Sequence, residues 1–149
     1  MAEIRIAAYK DKEFVEKLDR ENMELLRESY GKECKYKKYQ FFIPMYESFI
    51  PKKCFIIEDK EQIGFAYFNN PGNKLEVWSF QIKKEFQRKG FGTQIMKYLI
   101  AYAKQKKLKK ICLEAYYKNQ KAINFYKKIG FKEVGSKRPD KIAFEYLLV

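Results

Sequence analysis

The spacing of apolar residues changes twice between residues 75 and 115, and this change limits the folds open to the chain more than any other feature. Residues 75–82 are rich in aromatic and β-branched side chains, which is typical of a strand. After a short turn, apolar residues recur at helical intervals over residues 90–107, at Ile95, Met96, Leu99, Ile100 and Ala103. Residues 111–115 form another apolar run and predict a second strand.

The remainder of the chain adds elements on both sides of this unit. Its patterns predict helices over residues 11–29 and 119–129 and strands over residues 4–8, 54–58, 62–68, 131–135 and 142–148. Residues 30–53 hold many Tyr and Phe side chains, and we predict a helix there that breaks near Pro44, because proline removes a backbone donor. The order β-α-α-β-β-β-α-β-α-β-β predicts one domain over residues 1–149, of the α/β class (α+β type), with a mixed sheet and helices on both faces.

The absence of histidine restricts the chemistry that the chain can perform. Without histidine, the usual zinc sites, Ser-His-Asp triads and Cys-His dyads are excluded, and no metal site is predicted. Acid–base chemistry must therefore come from Glu, Asp, Tyr, Lys, Cys or a backbone group. Cys34, Cys54 and Cys112 contain no CxxC pair and are expected to be buried thiols in a reducing compartment.

Hydrophobicity and the first residues bear on location. The sequence has no run of about 18 apolar residues, so no membrane span and no membrane partner are predicted. Residues 1–6 show no basic leader followed by an apolar stretch, which argues against a secretory signal. We therefore predict a cytoplasmic protein.

The net charge is +13, from 32 Lys and Arg against 19 Asp and Glu. Such a field attracts nucleic acid, an acidic protein, an anionic membrane or a phosphorylated cofactor. Alternatively, the lysine-rich helical faces are simply solvated. The basic residues are spread over helices and turns without a nucleic-acid-binding motif, so nucleic acid is not expected as a partner.

The strongest candidate site is the turn before the helix at residues 90–107, which reads Gln-Arg-Lys-Gly-Phe-Gly-Thr over residues 87–93. A helix N-terminus leaves about four N–H groups without partners in the helix and carries about half a positive charge. Glycine allows the backbone to approach a bulky anion. The turn is neither a Walker loop nor the dinucleotide fingerprint. Taken alone, it is either a phosphate site or an ordinary helix cap.

The turn resembles the Gln/Arg-x-x-Gly-x-Gly/Ala motif of the GNAT superfamily of acetyl-CoA-dependent N-acetyltransferases, with Gln87, Gly90 and Gly92 at the motif positions. About thirty residues later that family shows Asn, Ala, an aromatic–Tyr pair and Gly-Phe. Here residues 119–131 read Asn-Gln-Lys-Ala-Ile-Asn-Phe-Tyr-Lys-Lys-Ile-Gly-Phe. The resemblance covers residues 62–135 and is weak over residues 1–55. It implies a GNAT-like twisted, mostly antiparallel sheet of six to seven strands.

The resemblance also implies acetyl-CoA as cosubstrate. The backbone of Phe80, Gln81 and Ile82 would pair with the pantetheine arm where the central strand of the family splays from its neighbour. Asn119 would contact the pantetheine or order the site. The pyrophosphate would be bound by backbone amides of the turn, those of Gln87, Arg88, Lys89, Gly90, Phe91, Gly92 and Thr93.

Two catalytic residues follow from the same resemblance. Tyr126 matches the tyrosine that donates a proton to the departing CoA thiolate, although its position beside Phe125 also suits a core aromatic. Glu76 precedes Gly90 by fourteen residues, as the glutamate base does in the histone-acetylating branch. A base is needed because an alkylammonium with a pKa near 10.4 is not nucleophilic. The alternative is that Glu76 is merely solvated and that ordered water and backbone carbonyls remove the proton instead.

The predicted activity is transfer of an acetyl group to a primary amine by direct attack on the thioester in a ternary complex. The alternative is a non-catalytic basic module that binds nucleic acid or an acidic protein on the same scaffold. The sequence leaves open the acceptor (a protein lysine, an N-terminus or a small molecule), the acyl length, and whether the protein is a monomer or a homodimer. Cys112 is expected to be a core residue rather than a nucleophile.

Overall fold

The computed structural model describes residues 1–30, 49–136 and 138–148. Its strands are β1 (Glu3–Ile6), β2 (Cys54–Asp59), β3 (Glu61–Asn69), β4 (Lys74–Ile82), β5 (Lys110–Tyr116), β6 (Lys132–Val134) and β7 (Lys141–Leu147). Its described α-helices are α1 (Lys12–Tyr30), α2 (Phe91–Gln105) and α3 (Gln120–Ile129). The helix predicted to break near Pro44 and the thiol of Cys34 lie outside the described residues.

The seven strands form one sheet in the order β1-β2-β3-β4-β5-β7-β6. β1 and β2, β2 and β3, β5 and β7, and β6 and β7 pair antiparallel, whereas β4 and β5 pair in parallel. The parallel pair is the one that the intervening α2 joins, because parallel strands need a crossover connection. The predicted mixed, mostly antiparallel sheet is confirmed.

The described chain consists of two compact units, residues 1–67 with 79–95, and residues 68–78 with 96–149. In the first unit, β2 and β3 are buried on both faces, and their largest fully buried side chains are Phe55, Phe65, Ile56, Ile57, Ile63 and Tyr67. In the second, the fully buried side chains include Leu99, Ile111, Tyr116 and Phe144. The prediction of a single domain stays a prediction.

The first strand is shorter than predicted, because a buried aspartate turns the chain away. Asp11 is fully buried, and its carboxylate accepts a 2.7 Å hydrogen bond from the Ala8 N–H. Two further hydrogen bonds from the Arg5 guanidinium, at 2.8 and 2.9 Å, hold the same carboxylate. β1 therefore ends at Ile6, where the prediction extended it to residue 8.

The bounds of α3 follow from its caps. Asn119 is the N-cap, and its side-chain oxygen accepts a 3.3 Å hydrogen bond from the Ala122 N–H. Gly130 ends the helix with φ of +122°, in the region that favours glycine. Its N–H donates to the carbonyls of Tyr126 and Lys127 at 3.2 and 3.1 Å. The predicted stop at Gly130 is confirmed.

Candidate functional site

The turn between β4 and α2 has two residues in the left-handed region. After a short 3-10 turn at Lys84–Phe86, Arg88 has φ of +61° and Gly90 has φ of +89°. An added Cβ at Gly90 would meet no atom within 4 Å, so glycine is favoured here by the backbone angle and not by lack of space. Arg88 adopts the same region as a non-glycine residue, at a cost of about 1–2 kcal/mol. Such backbone strain is concentrated at ligand-binding and catalytic sites.

The helix that follows presents its N-terminus at this turn. The Gly90 carbonyl accepts a 3.0 Å hydrogen bond from the Gln94 N–H, which makes Gly90 the N-cap of α2. The N–H groups of Phe91, Gly92 and Thr93 therefore have no acceptor inside the helix. With the helix dipole, these N–H groups are the donors that the predicted anion site requires, and anion binding here stays a prediction.

Side chains fix the turn in this shape. The Gln87 Nε2 donates a 2.9 Å hydrogen bond to the carbonyl of Ile82, the last residue of β4. The rings of Phe86 and Phe91 pack edge to face with centroids 5.9 Å apart. The Lys89 ammonium lies 5.8 Å from the centroid of the Phe86 ring. The motif glutamine thus closes the turn through its side chain, and its own N–H donates to the Lys84 carbonyl at 3.2 Å.

The C-terminal half of β4 extends beyond its parallel neighbour. Within the described residues, β4 pairs with β5 only over Lys74–Glu76 against Lys110–Cys112. On the other edge, the Lys83 N–H donates to the Ile63 carbonyl of β3 at 2.9 Å. Because backbone groups alternate along a strand, those of Phe80 and Ile82 face away from β3.

β3 lies close to β4 at Gly64. A Cβ added there would lie 2.6 Å from Ile82 Cδ1 and would also meet the Gln81 carbonyl oxygen. The Gln81 carbonyl therefore lies against β3, and it is not on the edge that bears the Phe80 and Ile82 groups. The buried positions of β4 also change phase nearby, from Leu75, Val77 and Ser79 to Ile82.

Tyr126 lies on α3 with its ring in an aromatic cluster. The centroids of Phe125, Phe131 and Phe144 are 5.6, 5.8 and 5.8 Å from its own. Burial raises the pKa of Tyr126 to about 12. The hydroxyl is therefore protonated at neutral pH and can act as a hydrogen-bond donor.

A protein-family model described as the acetyltransferase (GNAT) family matches residues 14–131, which is most of the chain. The chain belongs to the GNAT family. An uncharacterized N-acetyltransferase of Staphylococcus epidermidis is 28% identical over 100 residues, and the match spans 65% of this chain and 63% of that protein. This chain thus matches less than two thirds of the length of that relative.

Solved structures share the fold of this GNAT chain. The PaiA N-acetyltransferase of Thermoplasma acidophilum, in complex with coenzyme A, has a TM-score of 0.79 at 20% identity, covering 99% of both chains. A GNAT-family acetyltransferase of Staphylococcus aureus has a TM-score of 0.80 at 14% identity, covering 100% of both. Ard1 of Thermoplasma volcanium has a TM-score of 0.77 at 17% identity, covering 99% of this chain and 98% of that one.

Glu76 and Asn119, the other predicted GNAT site residues, have partners. The Glu76 side chain is half-buried, and its Oε2 lies 3.6 Å from the Lys74 ammonium. Glu76 is opposite Cys112 in the part of β4 that pairs with β5. Asn119 uses its side-chain oxygen to cap α3, which leaves its amide nitrogen for another contact.

Two thiols are described, and one differs from its prediction. Cys54 is fully buried, and burial raises its pKa above the ordinary value. Cys112 is only half-buried, because it lies on the face of β5 opposite to the buried Ile111 and Leu113. Burial, followed by the nearby Glu145 carboxylate, raises the pKa of Cys112 and keeps it a thiol. The prediction that all cysteines are buried is wrong at Cys112, while its assignment as an unreactive thiol stays a prediction.

The net charge is unevenly distributed between the two units. Fifteen of the 32 basic residues, but only five of the 19 acidic ones, fall in residues 68–78 and 96–149, which gives that unit +10 of the total +13. The other unit carries the remaining +3, and four of its basic residues lie around the glycine turn, at Lys83, Lys84, Arg88 and Lys89. The predicted anion site therefore lies in a basic stretch of the first unit.

The described residues offer neither a metal cluster nor a membrane-spanning helix. The described residues contain no group of three or more His, Cys, Asp or Glu side chains placed to hold a metal ion. Among the described helices, none combines the length and apolar character that crossing a lipid bilayer requires.

Proposed function

We propose that this GNAT-family protein transfers an acetyl group from acetyl-CoA to a primary amine. The observation that carries the proposal is the turn at Gly90, where a left-handed glycine, a helix N-terminus and flanking cations converge. The coenzyme A complex of the PaiA N-acetyltransferase, which shares this fold, supports CoA as the ligand.

In this proposal the cofactor contacts two parts of the first unit. The backbone amides of residues 88–93 bind the pyrophosphate, whereas the Gln87 N–H already donates to the Lys84 carbonyl at 3.2 Å. The Ile82 carbonyl already accepts hydrogen bonds from Gln87 Nε2 at 2.9 Å and Asn22 Nδ2 at 3.4 Å. We therefore assign the pantetheine contacts to the Ile82 N–H and the Phe80 backbone, with Gln81 between them in a supporting role, because its side-chain amide already bonds to Asp19 and Asn22. Asn119, with its amide nitrogen, is a further proposed contact.

The reaction is direct. The substrate ammonium loses a proton to Glu76 or to ordered water, and the amine nitrogen attacks the thioester carbonyl carbon. A backbone amide on the outward edge of β4, that of Phe80 or Ile82, stabilises the tetrahedral oxyanion. The C–S bond then breaks, the electron pair leaves on sulfur, and the nitrogen loses its second proton to solvent, which gives the neutral amide. The absence of histidine suits a route without a covalent enzyme intermediate.

The pKa of Tyr126 determines how it assists the departing sulfur. An alkyl thiol has a pKa of about 8.5, which lies well below the pKa of about 12 for Tyr126. Complete proton transfer from the phenol to the thiolate is therefore uphill. We propose that the hydroxyl stabilises the developing thiolate by donating a hydrogen bond, and that solvent completes the thiol.

Glu76 is the proposed base, with one condition set by its surroundings. The ion pair at 3.6 Å from Lys74 occupies one side of the carboxylate. A substrate ammonium must displace that lysine or use the other oxygen. The alternative is that ordered water acts as the base in place of Glu76. A Glu76→Gln variant separates the two hypotheses: it should lose most of its kcat if Glu76 is the base and keep it if water is.

A thiol-release assay tests the proposed function. The protein is incubated with acetyl-CoA and a panel of amines that includes peptides with free N-termini, lysine peptides and small amines. We expect free CoA to appear only with an accepted amine, with one acetyl group gained per CoA released. Amine acetylation would be refuted if the release of CoA were the same with and without every amine. It would also be refuted if a protein that binds acetyl-CoA released no CoA with any amine.

Binding of a polyanion is the second candidate, and one observation favours it. Lys104, Lys106, Lys107 and Lys109 are all exposed, and none forms an ion pair with another described residue. Four neighbouring like charges repel one another, and a polyanion would relieve that repulsion. A nucleic-acid titration at several salt concentrations distinguishes this candidate, because such binding weakens steeply with salt.

A further inference from the structure

A chain of side-chain hydrogen bonds connects α1 to the end of β4. The Ser79 hydroxyl donates to Asp19 Oδ1 at 2.7 Å, and Gln81 Nε2 donates to the same oxygen at 3.4 Å. Asn22 Nδ2 then donates to Gln81 Oε1 at 2.7 Å. The amide of Gln81 is thus held from both sides, by two residues that lie almost one helical turn apart on α1.

This network is enclosed. Asp19 is 0% exposed and Ser79 is 5% exposed. A buried carboxylate is stable only when hydrogen bonds replace its water. The 2.7 Å separation of the Ser79 and Asp19 oxygens falls in the range of charge-assisted hydrogen bonds. Asp19 therefore fixes the Ser79 side chain tightly, and any displacement of Ser79 costs this hydrogen bond.

The place of the network gives it a functional meaning. Ser79 and Gln81 stand on either side of Phe80, and Asn22 also reaches the Ile82 carbonyl at 3.4 Å. The network thus holds the segment of β4 whose outward backbone groups we assign to the pantetheine arm. We propose that Asp19 is a positioning residue that sets this segment for the pantetheine and thioester. The inference rests on the proposed function, because it assumes that β4 binds that arm.

The chain contains a matched pair for comparison. Asp11 is the other fully buried aspartate, and it likewise accepts a hydrogen bond from the amide of a glutamine on a strand, Gln62 of β3. The Asp11 group joins β1 and β3 and does not include a residue of β4. A merely structural role would make the Asp19 and Asp11 groups equivalent in their effect on ligand binding.

The experiment measures two dissociation constants by calorimetry for each variant, well below its melting temperature. The ligands are CoA and its nucleotide half, adenosine 3′-phosphate 5′-diphosphate, which lacks the pantetheine arm. The variants are Asp19→Asn and Gln81→Met, with Asp11→Asn and Gln62→Met as controls. Gln81→Met keeps the side-chain volume and the backbone, and it decides the test if Asp19→Asn fails to fold.

We expect Asp19→Asn and Gln81→Met to weaken CoA binding at least tenfold while the nucleotide half binds within twofold of wild type. The Asp11 and Gln62 variants should keep the wild-type ratio of the two constants, even where their melting temperature falls. An unchanged ratio in Gln81→Met, or an equal loss in all four variants, would overturn the positioning role and leave the proposed function standing. Failure of the wild-type protein to bind either ligand would instead refute the proposed function.

Discussion

Replacing Gly64 with alanine should destabilise the protein through a steric conflict at the close approach of β3 and β4. The new Cβ would lie 2.6 Å from Ile82 Cδ1, which can move by a rotamer change. It would also press on the Gln81 carbonyl oxygen, which is backbone and cannot yield without shifting the strand. Overpacking of a core costs about 1–3 kcal/mol, and contact with backbone places this site at the upper end, near about 3 kcal/mol.

The conflict has a measurable consequence in thermal unfolding. For a chain of this size, each kcal/mol shifts the melting temperature by about 2–4 °C, so Gly64→Ala should lower it by about 6–12 °C. Gly135→Ala is the matched control, because no atom lies within 4 Å of its added Cβ. The control should melt within about 2 °C of wild type. A Gly64→Ala protein that melts together with the Gly135→Ala control would refute the reasoning about this contact.

Three further predictions concern the site and the charges. Tyr126→Phe keeps the packed ring and removes the hydroxyl, so kcat should fall about 10²-fold while the melting temperature changes little. The thiol-release assay measures the first quantity and calorimetry the second. An unchanged kcat would assign Tyr126 to the core alone. Burial acts to raise the pKa of Asp11, but the Arg5 and Ala8 hydrogen bonds outweigh it and hold that pKa below 3.8. The resulting stability is present above about pH 4 and is lost as pH falls through the lowered pKa. The difference in melting temperature between wild type and Asp11→Asn should therefore shrink from pH 7 to pH 2. A difference independent of pH would contradict this. If the exposed lysines bind a polyanion, a triple variant with Lys104→Gln, Lys106→Gln and Lys109→Gln should reduce the slope of log K against log salt concentration by about three. The same change at Lys10, Lys17 and Lys52 should leave that slope unchanged.

The sequence predicted the elements well because their signals are local. The helical spacing of Ile95, Met96 and Leu99 and the glycine that ends α3, Gly130, depend on residues that are neighbours in the chain. The turn at Gly90 was predicted for the same reason, since its glycine lies next to the helix that it starts. The early end of β1 was missed because it depends on Asp11, which is distant from the apolar pattern of the strand.

The parts of the site that were missed depend on distant partners. Asp19 pairs with Ser79 across 60 positions, and no periodicity reveals such a pairing. One signal was present, since Asp19 follows Leu18 on the stripe of α1 that buries Val15 and Met23. A carboxylate on a buried stripe needs partners, and that requirement points to a polar network. Gly64 gave a similar signal as a lone glycine inside an apolar strand, which often marks a close backbone approach.

The central claim is that the turn at Gly90 binds the pyrophosphate of CoA, and a calorimetric titration with CoA and acetyl-CoA tests it most directly. Gly90→Asp places a carboxylate in the anion site, and Gly72→Asp makes the same change at an exposed glycine with φ of +121° outside this turn. We expect micromolar binding by wild type and by Gly72→Asp, and a loss of at least a hundredfold in Gly90→Asp. Equal affinity in the two variants, or no binding by wild type, would contradict the account.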